Sequence, residues 1–172
     1  DYLSTVYDDP DASQYVWGGG FHWYANSSLD DNDYYYAELD QMYADYPEKA
    51  LIHTESSIDI DDNNPIDQYY GMWHDYAGNF IPFETYAFDI LTDLNHWAQG
   101  YVEWCIILSN EGKPNPYDNF NSAPVLINPQ TDEVIYTPLY YILTHFSKFI
   151  RPGAKRVDVA LDATIDNTML TA

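Results

Sequence analysis

The spacing of apolar and polar residues changes period several times along the chain, and each change predicts a new element. Residues 1–14 are polar and acidic, with a turn cluster at Asp8-Asp9-Pro10-Asp11, and are expected to close an element that begins upstream. Tyr15 to Tyr24 is an aromatic and apolar run entered through Gly18-Gly19-Gly20, predicting a strand whose end carries His22 and Tyr24. From Asp33 to Tyr46, apolar residues fall at Tyr35, Leu39, Met42 and Tyr46, a spacing of three and four that predicts a helix stopped by Pro47. Ala50-Leu51-Ile52 then begins a strand that runs at once into His53-Thr54-Glu55-Ser56, so its start is packing and its end is chemistry. That asymmetry is the mark of active-site strands in α/β barrels.

Residues 56–80 form a long acidic, Asn- and Tyr-rich connection, expected to be a substrate-facing loop. Between Pro82 and Gln99 the positions Phe83, Tyr86, Ala87, Ile90, Leu91, Leu94 and Trp97 make a helical stripe, with Gly100 as the predicted stop. Tyr101 to Leu108 is almost continuously apolar, as expected of a parallel strand covered on both faces. The order strand, helix, strand, helix, strand predicts a parallel, right-handed βαβαβ arrangement. Short strands at 124–127 and 133–136 around a turn at 129–132 follow, then a helix over 138–149 broken by Arg151-Pro152-Gly153. The alternation in Arg156 to Leu161 predicts a separate β unit.

Charge narrows the partners. Asp and Glu number 28 against 6 Lys and Arg, a formal net charge of −22, which repels nucleic-acid backbones and anionic membranes. Aromatic residues make up 17% of the chain, with 18 Tyr and 5 Trp, more than core filling requires. Their flat apolar faces with polar tips are the surfaces that stack on sugar rings. The single cysteine, Cys105, excludes an internal disulfide and reads as a small buried hydrophobe. Asn26-Ser27-Ser28 fits the N-glycosylation triplet. No apolar run is long enough to span a bilayer, and the composition of the first residues, with neither a basic region nor an apolar core, is not that expected of a signal peptide. The five histidines show no metal-ligand spacing, so no metal and no cofactor is expected.

Four segments in order, Phe21-His22-Trp23-Tyr24, His53-Thr54-Glu55-Ser56, Trp97 to Trp104, and Tyr140 to Gly153, give the chain its resemblance to the glucosylceramidase-type glycoside hydrolases, glycoside hydrolase family thirty. The resemblance implies an eight-stranded (β/α)8 TIM barrel joined to a β-sandwich. Residues 1–155 are then its last three strands and helices, and 156–172 the start of the sandwich. It further implies a fragment: the first five strands, and with them the general acid, are expected upstream of Asp1. By the same resemblance Glu55 matches the catalytic nucleophile, His22 and Tyr24 line the site, Trp104 stacks under the sugar, and Asn119-Phe120 belongs to the loop that closes over it. Two positions depart from the pattern and bear on the particular glycoside: Cys105 stands where relatives carry Asn, and Gly112-Lys113-Pro114-Asn115 where they carry Gly-Gly-Pro-Asn.

Retaining glycosidases hold two carboxyl groups roughly 5 Å apart, one attacking the anomeric carbon and one protonating the leaving oxygen. Glu55 can be the first, its charged form favoured by a donor such as Tyr24 or His22. Glu103 precedes Trp104 directly, so in a strand it faces the other way and is a poor second carboxyl. The expected function is hydrolysis of a β-glucoside, glucosylceramide or β-1,6-glucan, by a secreted or lysosomal enzyme. The competing expectations are a non-catalytic sugar-binding protein and, for these residues alone, an inactive fragment.

Overall fold

The computed structural model describes residues 2–25, 32–57, 59–60, 81–116, 120–160 and 170–172. Its elements, in chain order, are helices α1 (Tyr2–Tyr7) and α2 (Pro10–Ser13), strand β1 (Gly18–His22), a 3-10 turn (Trp23–Ala25), helix α3 (Asn32–Asp45), and strands β2 (Ala50–Glu55) and β3 (Asp59–Ile60). Helix α4 (Ile81–Asn95), strands β4 (Ala98–Tyr101), β5 (Ile107–Ser109), β6 (Phe120–Asn121), β7 (Val125–Asn128) and β8 (Glu133–Tyr136), and helix α5 (Pro138–Ser147) follow. The fold is α/β. Its contacts divide it into one unit of residues 1–56, 90–102 and 158–172, and another of 57–89 and 103–157.

In the first unit, β1, β2 and β4 lie side by side in one sheet, each pair parallel. This is the expected βαβ order, with α3 joining β1 to β2. Parallel pairing keeps both sheet faces covered, and the cover on one side is legible in α3. Tyr36, Leu39 and Met42 recur at helical spacing, are buried, and cluster with Tyr7 and Leu51. Leu3, Val6, Val16, Phe21, Tyr43, Tyr46 and Trp97 pack around them. Lys49, one of the few cations, closes the approach to β1: its Nζ donates to the carbonyls of Ser13 and Val16, both at 2.7 Å. The Ser13 carbonyl also accepts the Val16 amide at 3.1 Å, so the ammonium adds a second donor there and ties residue 49 to the segment leading into β1.

The second unit holds a three-stranded sheet in the order β5-β7-β8, parallel between β5 and β7 and antiparallel between β7 and β8. The hairpin turns where Asn128 Oδ1 accepts from the Gln130 amide at 3.0 Å and Asp132 takes φ 59°. Such side-chain-to-backbone bonds are why Asn favours turns. Leu108, Ala123 and Leu126 form the buried cluster, with Cys105 and Ile135 against it. β3 and β6 pair antiparallel, which gives the start of the long 56–80 connection a defined place; its residues 58 and 61–80 lie outside those described.

Four expectations need correction. The first strand spans only Gly18–His22: Tyr15 and Trp17 precede it exposed, and Trp23 and Tyr24 leave it in a 3-10 turn. The continuous strand over 101–108 is two strands, since the chain leaves the ladder after Tyr101 and Cys105 turns it with φ 67°. Helix α4 ends at Asn95 rather than at Gly100, because Trp97 takes the left-handed conformation (φ 74°) that usually falls to glycine, and Gly100 lies within β4. Trp97 is held there by stacking on Tyr43, with ring centroids 3.7 Å apart and planes 5° from parallel. Finally, residues 156–160 are exposed and form no strand; residue 161 lies outside those described.

Candidate active site

Three of the candidate side chains, Glu55, His22 and Tyr24, lie together at the carboxyl end of β2, the middle strand of the parallel sheet, and just past the end of β1. β1 and β2 run in simple register from Gly18↔Ala50 to Phe21↔His53, and then the register slips so that His22 faces Glu55. Thr54 is the extra residue of this bulge. Its γ-hydroxyl donates to the Phe21 carbonyl at 3.1 Å. Bulges re-aim side chains where they interrupt a ladder, and here the consequence is that Glu55 comes opposite His22.

His22 Nδ1 lies 3.8 Å from Glu55 Oε1, too long for a direct hydrogen bond. The two side chains are 45% and 29% exposed, so the carboxylate is open to an incoming molecule. The Tyr24 ring meets the His22 ring edge-on at 5.8 Å between centroids and is itself half exposed. Glu55, His22 and Tyr24 thus form one accessible group. Its aromatic wall continues into Trp23, 6.3 Å from Tyr24.

Beneath Glu55 the strand is polar and closed. His53 is wholly buried, its Nδ1 2.6 Å from Asp93 Oδ2 and its Nε2 2.8 Å from the Glu55 carbonyl oxygen. The imidazole is wedged between aromatic rings: Tyr101 at 4.2 Å, tilted, and Phe21 at 5.3 Å, edge-on. Tyr101 also donates its hydroxyl to Ser56 Oγ at 2.8 Å, tying β4 to the residue after Glu55. Neither His53 nor Asp93 was among the sequence candidates. A signal existed for Asp93: Tyr86, Ile90 and Asp93 fall three and four apart, placing an acid within the stripe that α4 buries.

The remaining candidates lie in the second unit. Trp104 sits at a bend in the irregular segment between β4 and β5, partly buried. Glu103, expected to face away from Trp104 in a strand, is in no strand; it accepts a hydrogen bond from Tyr86 Oη at 2.9 Å. Phe120 is placed by its backbone in β6, opposite Ile60. Asn119 lies outside the described residues.

Residues 1–150 match the glycosyl hydrolase family 30 TIM-barrel domain. The chain belongs to that family. It is 32% identical over 167 residues to putative glucosylceramidase 3 of Caenorhabditis elegans, an alignment covering 95% of this chain and 29% of that protein. Against the lysosomal acid glucosylceramidase of Mus musculus it is 28% identical over 167 residues, covering 96% and 30%. Among solved structures, the endo-beta1,6-glucanase BT3312 superposes with a TM-score of 0.69 at 28% identity, over 95% of this chain and 32% of that one. SrfJ from Salmonella typhimurium shares the fold, with a TM-score of 0.72 at 22% identity, covering 91% and 31%. This family 30 chain therefore spans about 30% of the length of the curated relatives it matches. Among its described residues no helix is long and apolar enough to cross a membrane.

Proposed function

We propose that this chain carries the nucleophile side of the active site of a retaining β-glycosidase, with Glu55 attacking the anomeric carbon of a β-glucoside. The observation that carries the reading is the placement of Glu55: at the carboxyl end of the central parallel strand, open to solvent, with His22 in register across from it. Active sites of β/α barrels occupy that end of the strands. A carboxylate there that is exposed is open to an incoming sugar. Family membership supports the chemistry, since the relatives are glucosylceramidases and a β-1,6-glucanase.

In this reading β1, β2 and β4 are the last three strands of the barrel, and residues from 156 onward begin a β-sandwich. The remaining strands and the general acid come from an upstream segment. His22 and Tyr24 wall the sugar subsite, Trp104 is its stacking platform, and Asn119 and Phe120 belong to the loop over it. The substrate is glucosylceramide or a β-1,6-glucan, met in a lysosome or outside the cell.

The deciding experiment uses the full-length protein and a 2-fluoro-β-glucoside, which traps the glycosyl-enzyme ester. Peptide mapping should place the label on Glu55. Glu55→Gln keeps the volume and removes the charge, so kcat should fall about 10⁴-fold or more while sugar binding and folding persist. A label on another carboxylate would overturn the assignment; sugar binding with no label and no turnover would favour a non-catalytic sugar-binding protein.

A further inference from the structure

The bonds around His53 fix how many protons it holds. Its Nε2 faces the Glu55 carbonyl oxygen at 2.8 Å, and a carbonyl can only accept, so Nε2 carries a hydrogen. Its Nδ1 faces a carboxylate oxygen of Asp93 at 2.6 Å, where a bare nitrogen lone pair against an ionised oxygen would be repulsive. A proton therefore lies in that gap as well. Whether it rests on nitrogen or oxygen, the pair has no net charge, which is the state in which two ionisable groups tolerate complete burial. Phe21 and Tyr101 fix the ring between them, and Asp93 is anchored in helix α4.

We propose that His53 and Asp93 are positioning residues that set the attitude of Glu55 by clamping its backbone carbonyl. The inference rests on Glu55 being the nucleophile. The bulge at Thr54 is what makes a clamp necessary, since regular pairing between β1 and β2 shifts there and no longer dictates where the next residue points. An imidazole N–H reaching two residues along its own strand, tied at its other nitrogen to a different element, restores that control. The reacting carboxylate is thereby held from behind, on the side away from solvent.

Three measurements on the full-length protein test this. Nitrogen-15 NMR of histidine-labelled enzyme should show both ring nitrogens of His53 sharing protons at neutral pH, an observation that needs no variant. The double variant His53→Leu/Asp93→Leu replaces both partners with apolar groups and should unfold cooperatively, because neither partner is left buried alone. Its kcat should drop about 10- to 100-fold at little-changed KM, with labelling of Glu55 by the 2-fluoro-glucoside slowed by the same factor. Asp93→Asn can turn its amide N–H toward Nδ1 and leave the Nε2 proton on the carbonyl, so it should keep near wild-type kcat.

Wild-type kcat and labelling rate in the folded double variant would overturn the proposal. So would an unprotonated Nε2, a loss in Asp93→Asn as large as in the double variant, or one equivalent of divalent metal displaced by either substitution. A label away from Glu55 in the wild type would instead sink the nucleophile assignment, leaving the proton count at His53 as a separate result.

Discussion

Replacing Gly18 with alanine tests how tightly the two strands that meet at the site are drawn together. A Cβ at Gly18 would lie 2.3 Å from the carbonyl oxygen of Ala50 and 2.8 Å from both its carbonyl carbon and its Cβ. These are mostly backbone atoms of the register partner on β2, so no side chain can swing aside. Restoring ordinary contact requires β1 and β2 to part by about 1 Å. The bond from the Ala50 amide to the Trp17 carbonyl, now 3.1 Å, would be lost in the process. Overpacking costs typically about 1–3 kcal/mol and a hydrogen bond about 1 kcal/mol, giving about 2–4 kcal/mol in all. Gly100 is the control. Its added Cβ would meet only Ile52 side-chain carbons at 3.7 Å or more, so Gly100→Ala should be neutral or stabilising by about 0.5 kcal/mol. Urea unfolding of the two full-length variants, followed by tryptophan fluorescence, should separate them by several times the experimental error. Equal stability of the two would refute the steric argument. Because β1 carries His22 and β2 carries Glu55, Gly18→Ala should lower activity as well.

Tyr46 and Thr137 offer sharper local tests. The Tyr46 hydroxyl donates to Asp8 Oδ1 at 2.8 Å. That bond, with lesser contributions from burial and from the charges of Asp8, Asp45 and Glu48, pushes the phenol from 10.0 up to about 12. Folding thus favours the neutral phenol, a contribution fully present below pH 10 and lost as pH rises toward about 12; the stability gap between wild type and Tyr46→Phe should close over that window, and parallel curves would refute it. Thr137, buried before α5, donates its hydroxyl to the carbonyls of Ala123 at 2.8 Å and Pro124 at 3.1 Å. Thr137→Val keeps the shape and takes the hydroxyl from the Ala123 carbonyl, while the Pro124 carbonyl keeps the amide of residue 137 at 3.0 Å, so it should cost about 1–3 kcal/mol in the same urea assay; no loss would mean that water reaches the Ala123 carbonyl.

Much of the first unit could be read directly from the chain. The strand at Ala50–Glu55 and the helix expected over Asp33–Tyr46 follow from residue spacing, as does the parallel pairing of the strands that flank that helix; the third strand was expected over 101–108, whereas β4 spans Ala98–Tyr101. That Glu55, His22 and Tyr24 belong together was implied by the family resemblance rather than by spacing; the structure puts the three side chains beside one another. The break after Tyr101 was not legible, since its left-handed residue is Cys105 rather than a glycine or asparagine, and an apolar run with no breaker reads as one strand. Nor was the partnership of His53 with Asp93, which are 40 residues apart. A histidine in a strand and an aspartate in a helix each have ordinary solvated readings, and only the packing of α4 against the sheet makes them partners. At Arg156 to Ala160, alternation suggested a strand, yet alternation forms one only when a neighbouring strand offers its ladder.

The turn at Trp97 has a consequence for the order in which this unit assembles. A non-glycine residue held left-handed costs its own segment roughly 1–2 kcal/mol, so α4 and β4 in isolation have no reason to keep that corner. The compensation comes from Tyr43, far back in the sequence on α3. The corner is therefore stable only once α3 is already in place, and β4 can reach β2 only through the corner. A helix stop written as glycine would form early and independently; one written as a stacked tryptophan makes the arrival of the third strand conditional on the docking of an earlier helix. Such dependence ties two remote stretches into a single cooperative step, and a weakened α3 should be felt first as fraying of β4 rather than as loss of the helix itself.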